Sequence, residues 1–551
     1  MTDQTPRTRQ IARSTLTVML AFGTAKAISL AQTFIIANRV GVGSEWDTFV
    51  TANRVPELIF TLISGGALAH AFIPVFAGFL AQGDTEKAWR TATHVINTIF
   101  TATLIASAVV FVFANPIAAS VAPGFTPAGI EQTAQLMRIL LVGTLIFSVS
   151  GISMGILNSH NHFLLPALAP IMFDLGILFG VIFLLKPLGV QGIALGAVLG
   201  AGLHFGIQVP GLIHFKARWW PELGLRDPVM WRVIRLMLPR VAGLGVFSLN
   251  FLVMNNIASR LGVGAVSALD WGWRLMQIPE TLIGTAMGTV IFPTLAALSE
   301  LGDETGKRAA MSGALRFIFV ATIPAAVGLI VIGQPLISLL ERGAFDASAS
   351  ALVYSTLRFF ALGLVVHSAL EIVARSFYAD KDTLTPLFAA LGGAAINLAL
   401  SLMLSDVGQV EMMRVANTTA SVFPLLSLQT YAGNVGGLAL ANSCGVAFEV
   451  LVLLWLLRRR WHGTEEATIG RTVLKATAAS LVMALAIVLI DAVWHTLGLA
   501  NRGLIFTIAQ LGIEVGGGAL VFVAVAYLMK MEELQTLLNL ILRRRLAQGL
   551  A

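Results

Sequence analysis

The sequence predicts an all-α polytopic membrane protein of about fourteen transmembrane helices, built as two parallel six-helix lobes followed by two further helices. Three observations carry that expectation. The 551 residues are 56% hydrophobic and only 12% charged, with a mean hydropathy of +0.83, whereas soluble chains carry about 25% charged residues. Apolar runs long enough to cross a bilayer recur along the whole length. A segment alone in hydrocarbon must satisfy its own backbone groups, so each run reads as a helix. Finally, the chain repeats itself.

The repeat is read from landmarks. Arg39 to Asp84 and Arg260 to Asp303 both open on a basic residue followed by an apolar residue, Gly-Val-Gly, carry a Pro-Glu pair (Pro56-Glu57, Pro279-Glu280) and close on Gly-Asp. Asn115-Pro116 with Gly124 and Phe125 matches Gln334-Pro335 with Gly343 and Phe345. The hinge ending at Pro166 matches the hinge ending at Pro386. A period of about 220 residues is far too long for a solenoid and points to a duplicated helical bundle.

Taken in order, the spans fall near 14–37, 46–79, 91–114, 132–156, 163–185, 189–213, 230–259, 267–298, 309–340, 350–376, 384–405, 432–457, 471–496 and 503–529. The expected organisation is an N-terminal lobe over 1–215, a C-terminal lobe over 216–460, a helix pair over 461–530 and a tail over 531–551. The first span follows a polar, basic start and contains Lys26, so it reads as a membrane span rather than a cleaved signal. Six spans per half is even, so the second copy re-enters from the same side and the repeats are parallel. Asp406 to Tyr431 is a long connection expected to hold a short surface helix. The tail has apolar residues at helical spacing and Arg543 to Arg545. It reads either as an amphipathic helix on anionic lipid or as a basic flank.

Charge sets the orientation. Arg7, Arg9, Arg13, Lys87, Arg90, Lys216, Arg218, Lys307, Arg308, Lys381, Arg458 to Arg460 and Lys530 fall on one side, and the opposite loops hold only scattered cations. The rich side is expected to be cytoplasmic, with both termini there. The net charge of +7 then reports cytoplasmic loops and anionic lipid, not nucleic acid. One cysteine, Cys444, excludes a disulfide framework and a Cys-cluster metal site. No phosphate-binding Gly-rich loop and no metal-spaced His/Cys/Asp cluster occurs, so no enzyme, cofactor or metal is expected.

Polar residues inside the spans are the candidate functional ones, because a mid-span charge costs at least about 2.5–3.5 kcal/mol. Lys26, Arg54, Arg274 and Arg240 are the candidate cavity cations. Glu57 and Glu280 follow the span prolines and are placed to pair with Arg54 or Arg274. Asp174, with Asn397 as its rough counterpart in the second copy, is a candidate ion site or a partner for a neighbouring helix. Glu371 and Arg375 are one turn apart and read as a local pair. His204 and His367 read as hydrogen-bonded bundle residues. The simplest function is a secondary carrier, and buried cations favour an anionic substrate.

These residues resemble the MurJ/MviN family of lipid II flippases, within the multidrug/oligosaccharidyl-lipid/polysaccharide exporter superfamily. The resemblance runs over nearly the whole chain. Its most specific pieces are Asp47 to Ala77, Ala122 to Phe125, Leu157 to Pro170, Trp273 to Ala296, and Arg342 to Asp346 with Phe377 to Pro386. It implies outward flipping of an undecaprenyl-pyrophosphate-linked peptidoglycan precursor across the bacterial inner membrane, by alternating access, for cell-wall synthesis. It also implies that the last two spans form a groove for the lipid tail. Arg274 falls on a family cavity arginine in span 8, and Lys26 on one in span 1. Asp47 falls on an acidic family position. The chain departs from the family at Gln32, Thr33 and Phe60, where the resemblance implies an arginine, an acidic residue and a second arginine. Implied partners are the lipid-linked substrate, anionic lipid, a coupling cation or the membrane potential, and cell-wall synthesis enzymes. The residues alone leave open another lipid-linked oligosaccharide, a cation-coupled drug, or a non-transporting scaffold for cell-wall enzymes.

Overall fold

The computed structural model describes residues 28–63, 66–405, 407, 434–499 and 503–535, with backbone alone at 66–71, 236, 239 and 240. Among the described residues there is helix and no strand. Among the described residues twelve helices are long and apolar enough to cross a membrane, and they correspond one to one with the third to fourteenth spans expected above. Of the second span, residues 64–65 lie outside the described residues, and the stretches before and after them are helical. Most of the first span, Lys26 included, lies outside the described residues, as do most of the connection from Asp406 to Tyr431 and the end of the C-terminal tail.

In chain order the helices are α1 (28–40), α2 (Ser44–Ile63), α3 (Gly66–Ala81), α4 (Thr85–Val112), α5 (Ala114–Val121), α6 (Pro127–Ser159), α7 (Leu164–Phe179), α8 (Leu185–Leu188), α9 (Val190–Gly206), α10 (Val209–His214) and α11 (Pro228–Ser259). They continue as α12 (Ala265–Glu280), α13 (Ala286–Glu300), α14 (Glu304–Ser338), α15 (Ala347–Ala379), α16 (Leu384–Leu404), α17 (Val435–Arg460), α18 (Glu466–Thr496) and α19 (Leu504–Leu528). Wider π turns, Gly180–Leu184 and Thr281–Thr285, join α7 to α8 and α12 to α13.

The repeated punctuation acts identically in both copies. Gly83 and Gly302 turn the chain with φ of +76° and +68°, a conformation that costs glycine nothing. The next residue caps the following helix: Asp84 accepts from the Lys87 amide at 3.0 Å, and Asp303 from the Gly306 amide at 2.8 Å. Thr126 and Asp346 cap α6 and α15 in the same way. Asn161 and Lys381, in the two hinges, both take positive φ, 58° and 61°.

Contacts divide the chain into two compact units, Met1–Val266 with Gly343–Phe345, and Ser267–Arg342 with Asp346–Ala551. In the first, Phe72, Phe76, Trp89, Ile152, Ile156, Val233 and Met237 form a core between α3, α4, α6 and α11. Helices α7 and α9 touch backbone to backbone: a Cβ on Gly176 would sit 2.2 Å from Gly200 Cα. Small residues at such crossings let membrane helices gain dispersion contact without a hydrophobic driving force. The paired loop glycines Gly124 and Gly343 also lie in this unit, and a Cβ on either would sit 2.2 Å from a carbonyl oxygen, of Ser259 and Asn38 respectively.

In the second unit, one core gathers Leu295, Met311, Leu315, Ile318, Ile372, Phe377, Leu453, Leu457 and Trp461 around α14, α15 and α17. Another joins α14 to the C-terminal pair α18 and α19. The second hinge is tied down by charge. Lys307 Nζ donates to Asp380 at 2.7 Å, Ser299 Oγ at 2.5 Å, and Arg460 donates to Asp382 at 2.7 Å. Lys307 also lies 5.2 Å over the Trp461 ring.

Burial alone would raise the Asp380 carboxyl, but hydrogen bonds from Lys307 and Ser299 and the charges of Lys307 and Arg460 outweigh it and hold the group below the usual carboxylate range. Such a carboxylate adds stability above its unfolded-state value, and that contribution disappears as pH falls through the folded one. The melting temperature of the wild type should therefore fall on acidification. Asp380→Asn should lower it at neutral pH and flatten the acid limb; an unchanged acid limb would show that Asp380 is not the responsible group.

Candidate functional site

Two of the candidate cations, Arg54 and Arg274, lie on α2 and α12, in the second span of each copy. In each, an aspartate stands nine residues before the Pro-Glu pair: Asp47 before Pro56, Asp270 before Pro279. That shared register gives the clearest comparison of the two units.

In the first unit Asp47 is buried and its Oδ2 accepts from the Gly264 backbone N–H at 2.6 Å. One turn on, Thr51 and Asn255 exchange hydrogen bonds, the Asn255 Nδ2 to Thr51 Oγ1 distance being 3.1 Å. About another turn on, the Arg54 guanidinium lies 5.5 Å from the Phe251 ring centroid and 3.7 Å from Glu57 Oε2. Arg54 is enclosed, with its side chain 18% exposed, while Glu57 is 51% exposed. So α2 lays a polar ladder along α11, and the pairing expected of Arg54 and Glu57 is present as a loose contact.

In the second unit α12 is pinned to α15 by one face. Thr356 Oγ1 donates to the Ala268 carbonyl at 2.8 Å, and a Cβ on Gly272 would meet that same hydroxyl at 2.2 Å. Trp273 packs edge-on against Phe360 and His367. That face being fixed, Arg274 is turned outward: its side chain is 47% exposed, and Nε donates to Asp270 Oδ2 at 2.7 Å. Asp270 is 8% exposed. A buried carboxylate holding one edge of a half-exposed guanidinium orients the planar fork.

The expected Glu280 partnership differs. Six residues separate Arg274 from Glu280, which places them about 120° apart around a helix, whereas Asp270 lies one turn away on the same side. Glu280 instead accepts from Thr285 Oγ1 at 3.3 Å, and its charged neighbours are Glu371 and Arg375. Arg375 is paired with Glu371 as expected and donates to the Glu371 carbonyl at 2.7 Å. Gly288 makes room for this: its Cβ would fall 2.1 Å from Arg375 Nη1.

The remaining candidates are dispersed. Asp174 is partly buried on α7 in the first unit. Asn397 is buried on α16 in the second, accepting from Ser401 at 3.2 Å. Arg240 follows Pro239 on α11, with backbone alone described, and Lys26 lies outside the described residues. No group of His, Cys, Asp and Glu suited to a metal occurs among the described residues. His204 bonds Ser150 at 2.7 Å, and His367 bonds Asn442 at 3.2 Å, as bundle residues do. Of the departures noted above, Gln32 is buried, Thr33 spends its hydroxyl on the Ser29 carbonyl, and Phe60 packs against Phe147. Asp270 was not among the expected site residues. Its signal was the nine-residue register it shares with Asp47.

The chain matches the family described as MurJ, lipid II flippase MurJ, over residues 36–507. It belongs to that family. A Burkholderia cenocepacia protein named lipid II flippase MurJ is 31% identical over 392 residues, covering 69% of this chain and 75% of that one. A Rhizobium tropici protein named probable lipid II flippase MurJ is 28% identical over 518 residues, covering 92% and 91%. Among solved structures, a lipid II flippase MurJ in an inward closed conformation aligns with a TM-score of 0.74 at 23% identity, over 94% of this chain and 99% of that one. An inward-facing multidrug resistance MATE family transporter of the MOP superfamily aligns at 0.62 and 15% identity, over 80% and 94%. The MurJ family is one of transporters, not enzymes, and the fold is the polytopic one of the MOP superfamily.

The Asp270–Arg274 pair is testable as a pair. Asp270→Leu should lower stability by removing this contact, and Arg274→Leu in the same chain should restore part of the loss, a coupling of about 0.5–3 kcal/mol in a double-mutant cycle. Strictly additive melting-temperature changes would show that the two side chains do not depend on one another.

Proposed function

We propose that this chain moves lipid II, an undecaprenyl-pyrophosphate-linked precursor, from the inner to the outer leaflet of the bacterial inner membrane by alternating access. Family membership supports the substrate class. The observation that carries the chemistry is Arg274, a guanidinium half exposed on a membrane helix and oriented by the buried Asp270. A planar, permanently charged fork held in one orientation suits a diphosphate, since bidentate bonds to phosphate oxygens strengthen once water is excluded.

Lys26, Arg54 and Arg240 complete the proposed cationic set. Asp47, Glu57 and Glu280 are the proposed acidic residues of the transport path, and Asp174 and Asn397 the proposed ion site, for a coupling cation or the membrane potential. With Gln32, Thr33 and Phe60 supplying no charge, the load on Arg274 is greater. The proposed lobes are 1–215 and 216–460, with 461–530 as the lipid-tail helices and 531–551 on anionic lipid. Both termini are placed in the cytoplasm by the Lys/Arg distribution. Cell-wall synthesis enzymes are the proposed neighbours that use the flipped product.

Complementation of a bacterium depleted of its own flippase tests this reading. The wild-type chain should restore growth. Arg274→Ala should fail while reaching the membrane at wild-type abundance, with a flipping rate at least about tenfold lower, or about 1.4 kcal/mol. Arg274→Lys should be intermediate, because charge persists and the fork does not. Full growth with Arg274→Ala would remove this residue from the mechanism.

A further inference from the structure

Helices α18 and α19 lie after the internal duplication, yet they enclose a polar cluster that transport as described above does not use. Gln510 aims its side-chain amide at two carboxylates. Its Nε2 donates to Asp491 Oδ1 on α18 at 2.8 Å and to Glu514 Oε1, one turn further along α19, also at 2.8 Å. His495 Nε2 stands 3.5 Å from the same Asp491 oxygen. Exposure falls along this series, from 58% for His495 and 42% for Asp491 to 8% for Gln510 and 1% for Glu514. Glu514 Oε2 is fully enclosed and has no hydrogen-bond partner among the described residues.

Its surroundings are apolar. Met483, Ile487 and Leu511 join Val320, Ile323 and Ile332 of α14 in one core. Gly517 and Gly518 bring the two C-terminal helices close, since a Cβ on either would sit 2.8 Å from Ile490 or Ile487. Among the described residues no lysine or arginine faces Glu514. The charged and titratable groups facing Glu514 are Asp491 and His495, both from α18. The other helix packed on α19 is α14, and its charges, Glu304, Lys307, Arg308 and Arg316, lie near its N-terminal end. Arg316 is engaged with Glu532 and Glu533 beyond the far end of α19. Glu532 follows Glu514 by 18 residues, roughly 27 Å along a helix.

Were both carboxylates ionised, two like charges would share one amide, and one of their oxygens would sit in hydrocarbon with nothing to stabilise it. Desolvation and repulsion both oppose that state, and a single retained proton relieves both. We propose that Asp491, Gln510 and Glu514 form a proton-binding site in which the two carboxylates keep one proton, carried on Glu514, and that its occupancy controls how tightly α18 packs against α19. Proton exchange runs past His495 and Asp491, from the end of the helix pair where the α18–α19 connection lies. This goes beyond the transport reading and does not depend on which lipid is carried.

Infrared difference spectroscopy of the full-length protein in lipid nanodiscs, taken across a pH series in potassium buffer with and without sodium, tests the site. The expected result is a protonated-carboxyl carbonyl band that fades as pH rises and is absent in Glu514→Gln. In Asp491→Asn, which removes the repelling partner, the band should titrate at about tenfold higher proton concentration. Spin labels on α18 and α19 should move apart at high pH in the wild type and stay fixed in Glu514→Gln. If Glu514→Gln does not accumulate, the Asp491→Asn titration decides alone. No such band in the wild type, a band that survives Glu514→Gln, an unshifted titration in Asp491→Asn, or displacement of the band by sodium would each overturn the proposal.

Discussion

Hydrocarbon does not tolerate a lone charge, and the Asp270–Arg274 contact answers that constraint at the position proposed to meet the substrate. A guanidinium half exposed on a membrane helix is costly unless something holds it. Asp270 does so from the same face of α12, one turn back, and is itself buried. The helix must then be fixed for the fork to have a direction, and Thr356, Gly272 and Trp273 fix it against α15. Packing, ion pairing and exposure thus meet in five consecutive residues, 270–274, and one side contact.

The duplication explains how such a site arises. Both copies keep the same punctuation, with a positive-φ glycine before a capping aspartate and a left-handed residue in each hinge. Both also keep an aspartate nine residues before Pro-Glu. In the first copy that aspartate is spent on a backbone amide, at Gly264. In the second it holds an arginine. The same framework position therefore meets a backbone amide in one unit and, in the other, the arginine proposed to bind substrate; one turn later stands Thr51 in the first and Arg274 in the second.

The helical class and twelve of the spans were legible because bilayer thickness sets helix length and a polar backbone must bond to itself. The local pairs were legible where spacing is one turn, as for Glu371 with Arg375. Arg274 was legible as a mid-span cation, but its partner was sought six residues on, at Glu280, on the wrong side of the helix. The π turn after Pro279 was not legible. A wider turn depends on what packs beside it, here Gly284 against Ser368, and no local pattern encodes that. Nor was the bridge from Asp491 to Glu514 legible, because the two sit on different helices and meet only through Gln510.

The function proposed for this bundle is to carry a diphosphate-linked lipid across hydrocarbon. It is tested most directly by reconstituting the purified chain into liposomes carrying fluorescent lipid II alongside a polyprenyl-pyrophosphate bearing an unrelated oligosaccharide, and measuring leaflet transfer of each. Protein-dependent transfer of lipid II, faster than that of the competitor, is the expected result. Transfer of the competitor with none of lipid II, or of neither, would contradict it.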